Sequence, residues 1–477
     1  MSYLERLDSY KEDMLAALSE SVSKPSVNAN AAMTEDGELL PFGKGVYDAL
    51  IQMLSKGKEL GFAVHNDENY AGHIEWKAPD TPASEYFGIV GHLDVVPVGG
   101  GWDSDPFVMR REGDFVYGRG VLDDKGPVVA CLYAMKALKD EGLEPSMNIR
   151  LVLGCDEETG EISASHYTEN QGHPKMGFTP DGNFPLVNGE MGIMVFDLAQ
   201  KFKSRTSKDD LRLTKLEGGN AHNAVPAYSK AVIAGSKEQY GSIIERAKLY
   251  SEETGYKLKS KKQGSSLVIE AEGKAAHGAH PDKGLNAVSI MMDFLGNVSF
   301  ASEELNDFIS FYNEHIGFDL HGERLGCDFS DEQSGPLILN VGVAEINEDI
   351  AGVTVNIRYP VTYTDELVLS GIEQSIGEDR VGIVTRMVHY PIYKELNDPM
   401  VVKMMDAYRE ETGESSAEPM VIGGGTYAKM FDNILAFGAE FPGDEATMHQ
   451  ANEKLNIESF MKMARIYARA IRSLCCQ

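Results

Sequence analysis

From about residue 86 the chain alternates short, apolar runs with longer stretches of helical spacing: FGIVGHLDVVP, then KGPVVACLYAMKALKDEG, then MNIRLVLGCDEE. Short runs apolar at nearly every position predict strands buried on both faces, and strands alternating with helices predict an α/β layer around a mostly parallel sheet. The helical stretch opens on Gly126 and Pro127, which suit a first turn, and stops at Gly142, while Val128, Val129, Leu132 and Leu138 supply a buried stripe. After about Met191 the pattern turns antiparallel, with SSLVIEAEG, a helical stretch near 284–298, then LILNVGVAEI and AGVTVNIRYP across a short polar turn. The α/β pattern resumes near Pro391 with the helical PMVVKMMDAYREETG, a glycine-rich VIGGGTYAKM, the strand ILAFGAEFPG and a last helix from about Ile457. The predicted architecture is an α/β domain with a central, mostly parallel sheet, built from residues 1–190 and 391–477. An α+β domain with an antiparallel sheet is inserted into it over 191–390.

Composition narrows the function. With 477 residues and 42% hydrophobic side chains, the chain has material for two or three domain cores. Its 74 acidic against 44 basic side chains leave a net charge of −30, which repels phosphate backbones and anionic lipid headgroups, so no nucleic-acid or membrane partner is expected. The opening MSYLERLDSYKEDMLAALSE spaces Tyr3, Leu4, Leu7, Tyr10, Met14, Leu15 and Leu18 as a helix among charges, unlike a secretion signal. No apolar run of about eighteen residues occurs, and the terminal LCCQ lacks the fourth-from-last cysteine that prenylation requires. Cys131, Cys155, Cys327, Cys475 and Cys476 are odd in number and scattered, so they read as thiols of a cytoplasmic protein.

In an open α/β sheet the reactive groups gather beyond the C-terminal ends of strands, where HLD, DDK, DEE and TPD all fall. Taken singly, a histidine after a strand or an acidic pair in an acidic protein says little. Jointly, His92, Asp94, Asp123, Asp124, Glu157, Glu158, Asp181 and His449 form a set of carboxylates that could not all stay ionised together without a cation. Two imidazoles among carboxylates suit zinc, cobalt or manganese, and carboxylates can bridge two such ions. Strand alternation sends His92 and Asp94 to one face, where Asp94 could hold the second imidazole nitrogen in the right tautomer. The neighbours Glu157 and Glu158 point in different directions, which allows one to bind metal and the other to handle a proton.

The segments GHLDVVPVGGGWDSDPF, YGRGVLDDKGP, GCDEETG, FTPDGNFPLVNGE and MHQANE, in that order, resemble the signatures of the co-catalytic metallopeptidases, a family of glutamate carboxypeptidases, aminoacylases, desuccinylases and dipeptidases. The resemblance runs from about residue 40 to the C-terminus. It implies that His92 and Asp181 bind one ion, that Glu158 and His449 bind the other, that Asp123 bridges them and that Glu157 is the general base. Asp124 is not an implied ligand, and the bond between Asp123 and Asp124 is cis in relatives. The inserted domain becomes the lid: GKAAHGAHPDKGLNAV resembles the segment whose first histidine, His277, reaches over the site, GGNAHNAVP selects Asn223, and NIRYP selects Arg358. The run Gly423, Gly424, Gly425, Thr426 is implied to offer backbone donors to a substrate carboxylate, which the Arg358 guanidinium fork also suits.

IGGGTYAKMF and VNIRYP resemble a bacterial branch of PepV-type, carnosinase-like dipeptidases. The expectation is therefore metal-dependent hydrolysis of small peptides with a free carboxylate, using two divalent ions, zinc before manganese or cobalt. The same metal signature serves hydrolysis of N-acyl amino acids, as in aminoacylases, deacetylases and desuccinylases. A non-catalytic metal- or peptide-binding protein would not need Glu157. The insertion is nearly twice the lid expected of dimeric relatives, so a second half that mimics a partner's lid predicts a monomer, against a dimer formed through another surface. The stretch before residue 40 has no assigned role.

Overall fold

In the computed structural model, which describes residues 1–34, 36–377 and 381–476, the apolar runs of the first segment are strands of one sheet. The sheet holds β1 (Ala63–Asp67), β2 (Ala71–Trp76), β3 (Tyr86–His92), β4 (Asn148–Gly154) and β5 (Met176–Thr179); the apolar runs are β3 and β4, whereas β1 and β2 precede them and β1 is exposed at four of its five residues. Every residue of β2, β3 and β4 is buried, as expected of strands covered on both faces. β3 pairs in parallel with β4 on one side and β5 on the other, while β2 joins β4 antiparallel and carries β1 beyond it. The crossover from β3 to β4 is the helix Lys125–Glu141, which Gly142 ends in a left-handed conformation at φ 92°. Where the opening spacing predicts one helical stretch, Tyr10 separates two helices, Tyr3–Ser9 and Lys11–Val22, both packed on Lys125–Glu141.

The second segment builds its own sheet from β6 (Gly192–Lys201), β7 (Arg212–Gly218), β8 (Tyr228–Ala234), β9 (Lys257–Gln263), β10 (Ser266–Glu272), β11 (Ile338–Asn347), β12 (Ile350–Tyr359) and β13 (Gly382–His389). The order is β9-β10-β8-β7-β11-β12-β6-β13, antiparallel throughout. Alternation gives it one apolar face: Met194, Phe196 and Leu198 of β6 and Val353, Val355 and Ile357 of β12 share a core with Ile290, Phe294, Phe308 and Tyr312 from helices Ala287–Leu295 and Glu303–His315. Its two edge strands are unlike its centre. β9 carries Lys257, Lys259, Lys261 and Lys262, and β13 is broken against β6 by a bulge at Arg386, whose guanidinium is bound to Asp197 at 2.6 Å.

The chain then completes the first sheet. β14 (Ile434–Ala436) adds in parallel to β5, so that six neighbouring strands of the sheet run β14-β5-β3-β4-β2-β1, and Val187 pairs with Ala436 on the far side of β14. The last helix, Ile457–Cys475, is capped by the Asn456 side chain and lies on Lys125–Glu141, with the Tyr467 ring stacked 5.3 Å from Phe178. Two compact units result, one of residues 1–188, 394–420 and 426 onward, the other of Gly189–Tyr393 with Val421–Gly425. The pattern change in the sequence sets the cuts two or three residues away and leaves Val421–Gly425 with the third segment. Those residues instead belong to the second unit, where the Met191 N–H donates to Ile422 O at 2.9 Å. In the first unit, Asn188 and Lys394 clasp each other through the Lys394 N–H to Asn188 O and the Asn188 side-chain amide to Lys394 O. No helix among the described residues is long and apolar enough to cross a membrane.

Candidate metal centre

The ends of the parallel strands deliver the polar clusters to one place in the first unit. β3 ends at His92, β4 ends at Gly154 just before Asp156, Glu157 and Glu158, and β5 ends at Thr179 two residues before Asp181. Asp123 comes from the turn that leads into helix Lys125–Glu141, through a cis Asp123–Asp124 peptide, and His449 comes from a later loop with φ 61°.

Asp123 stands between the two imidazoles. Its Oδ1 is 3.1 Å from His92 Nε2 and its Oδ2 is 2.9 Å from His449 Nε2. His92 Nε2 also lies 3.8 Å from Asp181 Oδ2, and His449 Nε2 lies 3.1 Å from Glu158 Oε2. Two donor sets follow, His92 with Asp123 and Asp181, and Asp123 with Glu158 and His449, each with its ligand atoms within 4.8 Å of one another. Glu157 belongs to neither set, and its Oε2 is 4.0 Å from His92 Nε2.

The electrostatics show what this arrangement demands. Burial disfavours a charged His92, yet Asp123 and Asp94 beside it outweigh that and hold its pKa well above the ordinary value. Hydrogen bonds to Asp123 and Glu158 raise His449 to about 10. Burial, with Asp123 nearby, pushes the Asp181 carboxyl up to about 7, and burial, with Asp181 nearby, pushes Glu157 well up. Clustered carboxylates draw protons onto themselves and onto their histidines when positive charge is short. Nitrogen and oxygen donors in this proportion, one imidazole per set and one shared carboxylate, fit a pair of divalent ions.

Asp94 lies behind His92, completely buried. His92 Nδ1 is 3.1 Å from the Asp94 backbone carbonyl and 3.4 Å from its carboxylate, so main chain and side chain share that nitrogen, where the sequence pointed to the carboxylate alone. The Asp94 carboxylate also accepts the backbone N–H groups of Glu157 and Glu158, each at 3.1 Å. Asp124 turns away from both donor sets and accepts the His92 backbone N–H at 3.0 Å.

Glu453 is a further residue of the site whose role no pattern in the sequence marks. Fully buried, it accepts the backbone N–H groups of Gly120, Leu122 and Asp123 and the Arg119 guanidinium, at 2.8–3.2 Å, and so shapes the turn that presents Asp123. Its place in MHQANE was visible, but an acidic residue in an acidic chain gives no sign of burial.

The other singled-out residues lie in the second unit, except Thr426. Asn223 and His277 sit on adjoining loops, tied by the Gly278 N–H to Asn223 O at 2.7 Å, and the Ala279 N–H donates to His277 Nδ1 at 3.2 Å. Burial, with Arg358 and His280 nearby, lowers the His277 pKa. Arg358, near the end of β12, is 4% exposed, its Nε lacks a hydrogen-bond partner among the described residues, and burial lowers its pKa to about 10. Gly424 and Gly425 are in the second unit, while Thr426 begins the next stretch of the first, its Oγ1 accepting the Ala428 N–H at 3.2 Å.

Residues 88–473 match the model of the peptidase family M20/M25/M40. The chain is 34% identical over 474 residues to an inferred dipeptidase of Staphylococcus epidermidis, covering 99% of each, and 33% identical over 473 residues to another of Staphylococcus haemolyticus, again covering 99% of each. In fold it resembles human carnosine dipeptidase 1, with a TM-score of 0.55 at 17% identity over 99% of this chain and 98% of that one. It also resembles the aminoacylhistidine dipeptidase of Vibrio alginolyticus, with a TM-score of 0.56 at 14% identity over 96% of each.

Proposed function

The chain belongs to the peptidase family M20/M25/M40, metal-dependent hydrolases of peptide bonds, and on that premise we propose that it is a dipeptidase acting on peptides with a free C-terminal carboxylate. The observation that carries this reading is the shared Asp123 carboxylate with one oxygen toward each imidazole and Glu157 close by but outside both donor sets. His92 and Asp181 would hold one ion, Glu158 and His449 the other, and Asp123 would serve both. Bound there, divalent ions would supply Lewis acidity that brings the pKa of a water toward neutrality. Glu157 takes the proton from the attacking water and returns it to the amine as the amide bond breaks. Asp94 keeps the His92 ring oriented through that transfer. Arg358, a buried cation with no carboxylate bonded to it among the described residues, calls for an anionic partner, which the peptide's carboxylate supplies. Asn223, Gly424, Gly425 and Thr426 add polar contacts to the peptide, and His277 donates to the oxygen on which charge develops.

The ions are zinc by the affinity order of divalent metals, with manganese or cobalt as the other occupants such donors accept. We place the enzyme in the cytoplasm, consistent with five unpaired thiols, and as a monomer whose lid needs no partner. Glu157→Ala should abolish turnover, a fall of at least about a thousandfold, with metal content unchanged; loss of an ion instead would reverse the roles of Glu157 and Glu158. Assayed against free dipeptides and against N-acetyl and N-succinyl amino acids, the enzyme should prefer the dipeptides. Faster turnover of the acylated compounds would move it to the acylase side of its family, and elemental analysis finding manganese without zinc would replace the assigned metal.

A further inference from the structure

The stretch before residue 40, to which no motif assigns a role, reaches the candidate metal centre at Asn28. It is fastened there at several points. Lys125 Nζ donates to the carbonyls of Ser21 and Lys24 at 3.0 and 2.8 Å, the Ser26 hydroxyl donates to Leu93 O at 2.6 Å, and the Val95 N–H donates to Ser26 O at 3.1 Å. Val27 thereby lies beside Val95 as a parallel bridge, and the following residue, Asn28, reaches the Asp94 carboxylate. Its Nδ2 donates to Asp94 Oδ2 at 3.0 Å and lies 3.4 Å from Cys155 O, at the start of the loop that carries Glu157 and Glu158.

Asp94 is the point where the supports of the site converge. One of its oxygens accepts the Glu157 N–H and faces His92 Nδ1, and the other accepts the Glu158 N–H together with the Asn28 amide. The two backbone donors come with the loop they are meant to hold. Asn28 is the remaining donor, and it stands on a different part of the chain with its own attachment to the core. A completely buried carboxylate that loses one donor is left under-bonded, and it turns toward whatever donor remains.

We propose that Asn28 is a positioning residue of the metal centre: by donating to Asp94 it sets the orientation of the His92 imidazole and the seat of the Glu157–Glu158 loop, so that the N-terminal arm is part of the hydrolytic site. This rests on the reading that His92, Glu158 and their partners hold ions. The role is a matter of donor polarity, which shape alone cannot supply. An aspartate at this position fills the same space but sets an acceptor against an acceptor, whereas an alanine removes the donor and leaves no repulsion.

The test is cobalt binding to protein freed of metal by chelation, read from the visible absorption of Co2+, for the wild type, Asn28→Ala and Asn28→Asp. Binding should weaken by about tenfold for Asn28→Ala and further for Asn28→Asp, with altered cobalt bands. Turnover with dipeptide should fall by about tenfold or more in kcat with KM within about threefold. Glu5→Ala, which breaks the capping box of the first helix, serves as a control and should lower the melting temperature while leaving the cobalt bands intact. Asn28→Asp binding like the wild type while Asn28→Ala is weak would reduce Asn28 to a space-filler and overturn the proposal, as would wild-type bands and affinity in both variants. A wild type that takes up no cobalt would sink the metal reading and this inference together.

Discussion

His73 on β2 shows how a residue far from the metal centre ties stability to pH. It is 5% exposed, the Tyr167 hydroxyl lies 2.9 Å from its Nδ1, and burial, with Arg150 nearby, depresses its pKa to about 3. In the unfolded chain the same ring titrates near the ordinary value of about 6.5. Between those values the unfolded state holds the extra proton, so the stabilisation is complete above about pH 6.5 and drains away as the pH falls toward 3. His73→Asn keeps an acceptor for Tyr167 and removes the titration. Urea unfolding should show the wild type losing about 2 kcal/mol more than the variant between pH 6.5 and 5. Equal losses would mean that the folded imidazole takes up its proton freely. At this scale the sequence was informative where residues announce chemistry by company. His92, Asp123, Glu157, Glu158, Asp181 and His449 stand in recognisable strings, and the structure brings them together. Glu453 and Asn28 act by accepting from or donating to backbone and buried carboxylates far away in sequence, and nothing in their neighbours' identities encodes such a partner.

Among the elements, the buried strands β3 and β4 were legible by their apolar runs, and the helices by their ends, the stop at Gly142 and the start near Ile457 included. Pairing partners were not, because β5 and β14 are brief and join from distant parts of the chain. The contact between β3 and β5 is closer than the pattern hints. A Cβ at Gly177 would lie 1.9 Å from Gly88 O, and the obstacle is backbone held in a parallel ladder with no flexible tip to swing aside. Gly177→Ala should therefore cost on the order of 3 kcal/mol in chemical denaturation, and loosen the strand that leads to Asp181. At Gly100 a Cβ meets nothing within 4 Å, so Gly100→Ala should stay within about 0.5 kcal/mol of the wild type. Similar effects at both positions would show that the strands can part.

For the molecule as a whole, the edges of the second sheet bear on assembly. A free edge strand invites another chain, and both edges here are blunted, β9 by its row of lysines and β13 by the bulge at Arg386. That favours a self-sufficient chain. If, as proposed, each chain completes its own site, mixing His277→Ala with Glu157→Ala protein should restore no activity; recovered turnover would show the histidine being lent between subunits.

The interrupted course of the first unit also dictates an order of events during synthesis. Residues 189–393 are continuous and, with Val421–Gly425, complete a unit before the last helix is made, whereas the first sheet waits for β14, for Tyr467 to stack on Phe178, and for His449. A chain emerging from the ribosome thus folds its middle before its beginning, and completes the second donor set, which needs His449, only at the end. Nascent chains stalled with Gly425 just outside the exit tunnel should yield a protease-resistant core from the second unit and none from the first; early protection of β3 and β4 would show that the first sheet can form without its last strand.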